Sequence, residues 1–554
     1  MTGLRTPVVR IVPFGDRAFL VETADVASAH SLAGILEARK TSGDAPTGVD
    51  EVVVGLASVL VMFDPQSDTT DAGTCADWVA ETVRTGPSAS TSSTHLPRSH
   101  VLPVVFDGAD LAEVAAVVGQ PVGRVVELMV SAEFEVAFVG FAPGFPYLTG
   151  LPAELAGLGR RATPRTSVPA GSVAVAAGFA SIYPRSTPGG WHLLGRTAES
   201  LFDPDVPPHS RVAPGDKVRF KPGDASLPRR QDDDVRPPIR ADGRCLEVLE
   251  PGLSTTVQDD GRRGWAHVGV PAAGGADLRS LSLANLLLGN RFDAAALECT
   301  ASGPVVRMFG DGHLAVVGAR SGAVDITVDG HPVADGAVLP VADGQVVRVG
   351  RVRHGLRAYL AVAGGLATPM VLGSRSSDTL AGLGPGAVRV GDRLARGEPG
   401  RARGALEPTR GPIHGPTVLR VVAGPHGSPG GGLTTAGWMV GTAVDRIGVR
   451  LTAAGRSRLD AGRPRSSTPM MTGAVQVPPD GHPIILLPDH ATVGGYPVVA
   501  CVVTSDLPLL GQLAPGDEVA FVEVDLDTAV RLRVEDRVAT AARVSGWFPS
   551  VTGI

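Results

Sequence analysis

Apolar residues in this chain fall in short runs broken by Gly, Pro and Ser, the pattern of strands joined by tight turns. VVRIVPFGDRAFLVE predicts a strand, a turn at Gly15-Asp16 and a second strand; an Ala-rich helix follows around Ala27 to Arg39. Glu51 to Pro65 reads as a strand pair and Ala76 to Arg84 as a helix, so residues 8–84 form a small α+β unit. Thr85 to His100 is rich in Ser, Thr and Pro and reads as a linker. A β-rich domain follows over 101–223, with one or two helices near Leu111 to Val118 and Pro121 to Glu133. A charged, Pro-rich linker occupies 226–244. Past it, strand, turn and helix are predicted, with Asp277 as N-cap and Leu281, Ala284, Leu287 and Leu288 as the helix's apolar face. Short strands continue to Arg396, completing a β-rich domain over 245–396. A Gly/Arg/Pro-rich bridge leads to a last β-rich domain, 417–524, and the tail beyond it carries no strong pattern.

The densest signal is Gly140 to Thr197, where three Gly/Pro turns alternate with apolar runs. Phe141, Phe145, Tyr147, Tyr183 and Trp191 sit at the turns, with Arg165, Arg185 and Arg196 beside them. Such a stretch suits the wall of a pocket for a small planar or anionic ligand, and equally a well-turned barrel plugged by aromatics. It also has a distant counterpart. SVPAGSVAV (Ser167 to Val175) parallels MMTGAVQV (Met470 to Val477), PRSTPGGW parallels PDHATVGGY, and APGDKVRF parallels APGDEVAF. Two divergent copies of one β-domain explain this order.

With 71 Gly and 46 Pro, the composition supports turn-rich β architecture. The 554 residues exceed one core, and a net charge of −6 implies no bulk attraction to nucleic acid or anionic membrane. No apolar run reaches spanning length and the first residues lack a signal core, so a cytoplasmic protein without a membrane partner is expected. Four scattered cysteines favour reduced thiols, and no Cys/His spacing suggests a metal site. There is no lysine-bearing phosphate loop, and the three lysines (Lys40, Lys217, Lys221) sit in polar contexts unsuited to Schiff-base chemistry.

GFAPGFPYL, TPRT-x-VPAGSVA, IYP and PGGW-x-L-x-GRT make the first half resemble the allophanate hydrolase subunit 1 (KipI) family, also known as the B-type subunit of 5-oxoprolinase. TTVQDDGRRG, ANLLLGN, YLAVAGG, GSRS, DRIGVRL, GAVQVPPDGHPI and T-x-GGYP make the second half resemble the allophanate hydrolase subunit 2 (KipA) family, the C-type subunit of 5-oxoprolinase. The chain looks like a fusion of two subunits. The resemblance implies a mainly β, multidomain protein with α+β parts, containing cyclophilin-like β-barrels. It implies a B/C component that opens the lactam of 5-oxoproline to glutamate with ATP as co-substrate, with Mg2+, beside a separate A-type (LamB/YcsF-like) subunit. Two alternatives follow from the same resemblance: a carboxyltransferase of the biotin-dependent urea carboxylase kind, and a histidine-kinase-binding regulator. No lysine lies in a Met-Lys-Met context, so covalent biotin on this chain is not expected. A homo-oligomer is possible.

Activating an unstrained amide needs oxyanion stabilisation and a proton donor or acceptor, and arginine suits phosphate. In the resembling motifs the catalytic candidates are Asp489, His490, Asp259 and Glu298. The substrate-binding candidates are Arg262, Asn285, Arg375, Arg446, Gln476 and Tyr496 in the second half, and Tyr147, Arg165, Tyr183, Trp191, His192 and Arg196 in the first. Asp489-His490 reads as an acid–base pair or as a turn carboxylate beside a solvated imidazole. Asp259 reads as a catalytic group or a turn cap, and Asn285 and Glu298 as catalytic or as structural hydrogen-bonding groups. The first half departs from the family pattern at Met129, Phe179 and Ser181, which bear on that half's site.

Overall fold

The computed structural model describes residues 8–63, 72–85, 97–224, 226, 238–319, 322–400, 415–427, 432–453, 458–460 and 466–547. The chain is mainly β and is built from several packed units.

The first unit is a four-stranded antiparallel sheet, with Ala18–Thr23 and Ser58–Phe63 at its centre. Its strands are apolar on both faces because both are covered. Phe19, Val21, Val59, Val61 and Phe63 face the helices Val26–Thr41 and Ala72–Thr85. Ala18, Leu20 and Leu60 face the other way and pack on Met470, Met471 and Cys501 of the last unit. The period of two thus sends alternate residues into two different cores.

The second unit is a seven-stranded sheet closed by a bridge between Val105 and Arg196. Its first and last strands, Ser99–Val104 and Lys217–Pro222, run parallel. Closure brings the backbones so near that a Cβ on Gly195 would sit 2.5 Å from the Val105 carbonyl. The last unit is a closed seven-stranded barrel whose first and last strands, Thr417–Ala423 and Glu518–Glu523, are also parallel. Strand order is the same in both when equivalent strands are matched. The Asp of each PGD turn accepts the backbone N–H three residues before it: Ala213 to Asp216 at 3.1 Å and Ala514 to Asp517 at 2.8 Å. The internal repeat is therefore structural.

Between these units lies a sandwich of a six- and a five-stranded sheet. The helix Leu278–Leu287 covers it, capped by Asp277, whose side chain accepts from Ser280 N.

Ordered structure reaches into three segments read as connections. Within Thr85 to His100, a strand begins at Ser99, and Arg98 N donates to Asp216. Within 226–244, Ile239 packs on the sandwich core and its N–H donates to Asp392 at 2.8 Å. Gly397 N donates to Gly365 O at 3.0 Å. Residues 86–96, 227–237 and 401–414, the remainder of those connections, lie outside the described residues.

The patternless tail is the larger correction: Leu526–Trp547 is a helix. It packs back onto the first unit. Ala529 is buried, Arg533 donates to the Asp16 carbonyl, and the Arg533 guanidinium lies 5.7 Å from the Phe63 ring centre. A buried arginine on the inward face hides the apolar period that announces a helix. Among the described residues no single helix is long and apolar enough to cross a membrane.

Candidate active site

A concentration of buried charge gathers around Glu298. In the strand Ala296–Thr300, Leu297 and Cys299 point into the sandwich core, so Glu298 emerges on the opposite face. It is 1 % exposed. Its Oε2 accepts from Ala276 N and from Tyr359 Oη, both at 2.8 Å, Tyr359 being its cross-strand partner. Its Oε1 takes Arg446 Nη1 at 2.5 Å and lies 3.3 Å from Arg357 Nε, the latter an ion pair without hydrogen-bond alignment.

Arg446 stands in the turn between the strands Trp438–Val444 and Gly448–Ala453. It also grips Asp489 with Nε (3.1 Å) and Nη2 (2.8 Å) and donates to Gly274 O at 2.6 Å. Asp489 Oδ2 further accepts Thr379 N (2.8 Å) and Thr379 Oγ1 (2.7 Å). Arg357 donates to Gly511 O and Asp445 O. The cluster thus ties the sandwich, the last barrel and the 378–384 loop together. From the first half, Arg185 Nη1 reaches that loop at Leu380 O, 2.7 Å.

Burial pushes the Glu298 carboxyl up, but Arg446 and Arg357 outweigh it and hold it below its ordinary range. Burial works against the charge of Arg446, yet Asp489 and Glu298 raise its pKa further. Asp378, at the start of the loop, makes no ion pair among the described residues. Burial, and then the charge of Asp489, push it up to about 7. Its Oδ1 accepts Leu380 N and Ala381 N, whereas its Oδ2 is buried without a partner. Nearby Arg262 donates to the Ser376 and Val371 carbonyls, and its Nη1 is likewise unpartnered.

Of the sequence candidates, Glu298, Arg446 and Asp489 meet directly, and Arg262 lies beside them. Asp489 and His490 do not form an acid–base pair. As neighbours in a turn they diverge: the carboxylate is drawn to Arg446, and His490 Nδ1 meets the Ala491 carbonyl at 2.8 Å. The imidazole is buried rather than solvated, and burial lowers it to about 4, leaving it neutral. Asp259 is an anchor. It accepts Ser374 Oγ, Ser376 Oγ and Arg375 N, all at 2.6 Å, so it fixes the GSRS segment rather than facing a ligand. Arg375 donates to Thr368 O. Asn285 is fully buried and bonds Ala294 O and Asn290, a structural role. Gln476 contacts the Met470 sulfur at 3.3 Å, and Tyr496 is exposed.

In the first half, Tyr147, Tyr183 and Trp191 do not line an open wall. Phe145 meets all three edge-on at 5.2, 5.2 and 5.6 Å, and the group packs against Val493 of the last barrel. Burial raises both tyrosines to about 12. Arg165 binds Asp110 (2.6 Å) and Arg196 binds Asp107 (3.0 Å), so both have carboxylate partners within their own barrel. His192 is half-buried, its Nδ1 without a partner. Met129 lies in the barrel core, Phe179 stands edge-on to Tyr147, and Ser181 Oγ donates to Pro146 O at 2.6 Å. Each of the three departures is absorbed by packing or hydrogen bonding.

Sequence reasoning missed Arg357, Tyr359, Asp378 and Thr379 and passed over Arg185 as a site residue. A lone arginine opening the apolar strand Arg357–Val362 was a usable signal, since a buried charge needs a partner. Asp378 carries no comparable one.

Residues 9–212 match the carboxyltransferase domain, subdomains C and D, and residues 268–523 match its subdomains A and B. Over 300 residues the chain is 34 % identical to the C-type 5-oxoprolinase subunit of Escherichia coli, spanning 95 % of that protein and 53 % of this chain. The chain belongs to the 5-oxoprolinase B/C family of carboxyltransferase-domain proteins. Its first half is 52 % identical over 124 residues to the B-type 5-oxoprolinase subunit of Escherichia coli, an alignment covering 56 % of that protein and 22 % of this chain. The chain is 30 % identical over 343 residues to the urea amidolyase of Lachancea kluyveri, covering 56 % of this chain but only 18 % of that protein. The crystal structure of TTHA0988 has a TM-score of 0.80 at 32 % identity, covering 91 % of this chain and 99 % of that one. Apart from TTHA0988, these relatives are, by name, enzymes or enzyme subunits.

Proposed function

We propose that this chain is the fused B/C component of an ATP-dependent 5-oxoprolinase, opening the lactam of 5-oxoproline to glutamate with a separate A-type subunit. The reading rests on one observation: a B-like half and a C-like half share one chain and pack through buried polar contacts. Glu51 of the first unit accepts Gly264 N and Ala266 N of the second half, and Gly144 N donates to Val268 O at 2.9 Å. ATP, with Mg2+, is the co-substrate in this reading, and the cytoplasm is the compartment. Beside the buried cluster, Arg262 keeps one unpartnered guanidinium N–H, the kind of donor that a developing oxyanion requires.

The test mixes the purified chain with a candidate A-type subunit, ATP and 5-oxoproline. Glutamate and ADP are expected, and the absence of both overturns the reading. The carboxyltransferase match favours a second reading, transfer of a carboxyl group from carboxybiotin to urea or another amide. Bicarbonate- and biotin-dependent turnover of such an amide would establish it instead.

A further inference from the structure

Arg262 and Asp378 carry opposite charge, are buried, and feel one another electrostatically, yet they make no ion pair among the described residues. Each is pinned from one side. Asp378 Oδ1 is fixed by Leu380 N (3.0 Å) and Ala381 N (2.7 Å), and Arg262 Nη2 by the carbonyl of Ser376, two residues before Asp378. Each has one free atom: an acceptor, Oδ2, and a donor, Nη1. Buried polar atoms are rarely left so, and two of opposite hydrogen-bonding sense, one in the 376–378 segment and one on the arginine bonded to it, call for a complementary guest.

We infer that Asp378 Oδ2 and Arg262 Nη1 form a subsite for the edge of a cis amide, the carboxylate oxygen accepting the ligand N–H and the guanidinium donating to its carbonyl. A lactam ring, like a urea, presents donor and acceptor side by side, whereas a trans peptide places them on opposite edges. The subsite abuts Asp489 and Thr379 and lies under a loop that Arg185 holds from the first half. Thr379 and Gly382 of that loop are exposed. Gln258 of the strand Ser254–Gln258 donates through Nε2 to the Ser377 carbonyl, and its Oε1 is a further free acceptor beside this segment. The inference deepens the proposed function and rests on its amide substrate.

The experiment measures calorimetric binding of 2-pyrrolidone, a bare five-membered lactam, and of γ-butyrolactone, the same ring without N–H, to the full chain at pH 8. The wild-type chain should prefer the lactam by about tenfold or more, because the lactone leaves the buried carboxylate unpaired. Asp378→Asn keeps the loop cap through its amide oxygen but presents an N–H donor, so its preference should shift toward the lactone. A merely structural Asp378 would not move that ratio. No lactam binding by the wild type, equal binding of the two rings, or an unchanged ratio in a folded D378N would overturn the inference. If D378N does not fold, the wild-type ratio alone decides. Failure of the functional reading is separate: it shows as no glutamate from the wild-type chain with its A-type partner, whatever the ring preference.

Discussion

Arg446 and Asp489 face each other through two hydrogen bonds, Nε to Oδ2 at 3.1 Å and Nη2 to Oδ1 at 2.8 Å, while the third nitrogen of the guanidinium holds Glu298. One side chain of the last barrel therefore neutralises one carboxylate of its own unit and one of the sandwich. Its removal leaves Asp489 without its ion pair and Glu298 with Arg357 alone. Arg446→Ala should destabilise the chain by about 3–5 kcal/mol in urea unfolding, because the uncompensated charge dominates the loss. Glu298→Gln keeps the oxygen that Tyr359 and Ala276 contact but turns its NH2 toward Arg446 Nη1; because Arg446 still holds Asp489, it should cost less. The reverse order would show that the pair is not the structural core of the cluster.

Stability should depend on pH in two opposed ways. His490 is depressed to about 4 by burial, so the unfolded chain binds more protons between that value and 6.5, and stability from this group is lost as pH falls through the window. Asp378 is raised to about 7 by burial and Asp489, so the folded chain binds more protons between 3.8 and 7, and stability from it is lost as pH rises. Glu51, raised to about 7 by burial, acts in the same sense as Asp378. The slopes oppose one another in the wild type. Melting temperatures between pH 4 and 7 should tilt downward with rising pH in His490→Gln, relative to wild type, and upward in Asp378→Asn.

The tail helix offers a separate test. Arg533 is its buried contact to the first unit, donating to Asp16 O and lying over Phe63. Arg533→Ala should cost about 1–2 kcal/mol and raise amide exchange in the first turns of the helix, with little change in the sandwich. Exchange measured by mass spectrometry on peptides covering 526–536 and 312–318 reads both.

The strands were legible because Gly and Pro mark their ends, and the repeat because its turns kept their residues: Asp216 and Asp517 still cap the same turn in both barrels. The site was legible only in part. Glu298 and Arg446 are 148 residues apart, and nothing local to either names the other as partner. Adjacency misled at Asp489-His490, since neighbours in a turn point apart. The tail helix was hidden because its inward face carries Arg533 where a leucine would have kept the period. Asp378 stayed invisible because a carboxylate in a Ser/Thr-rich loop reads as a turn residue until its burial is seen.

The two halves should stay together when the chain is cut between them. Their contacts do not depend on continuity: Asp16 accepts Thr504 Oγ1 at 2.8 Å, Arg17 donates to Thr472 O at 2.9 Å, Leu56 N donates to Ser467 O at 2.9 Å, and Glu51 caps the 264–266 turn. Phe14, Leu20 and Leu60 share one core with Met470 and Met471. A core shared across a cut behaves as an interface, and its apolar centre supplies most of the affinity. A protease site placed between residues 227 and 237 should yield two fragments that co-elute in gel filtration after complete cleavage. Glu51→Ala in the same background leaves two buried N–H groups unsatisfied, at about 1–3 kcal/mol in all, and should weaken the fragment pair about tenfold or more. Fragments that separate on cleavage without any substitution would mean that the covalent link, rather than this interface, holds the halves together.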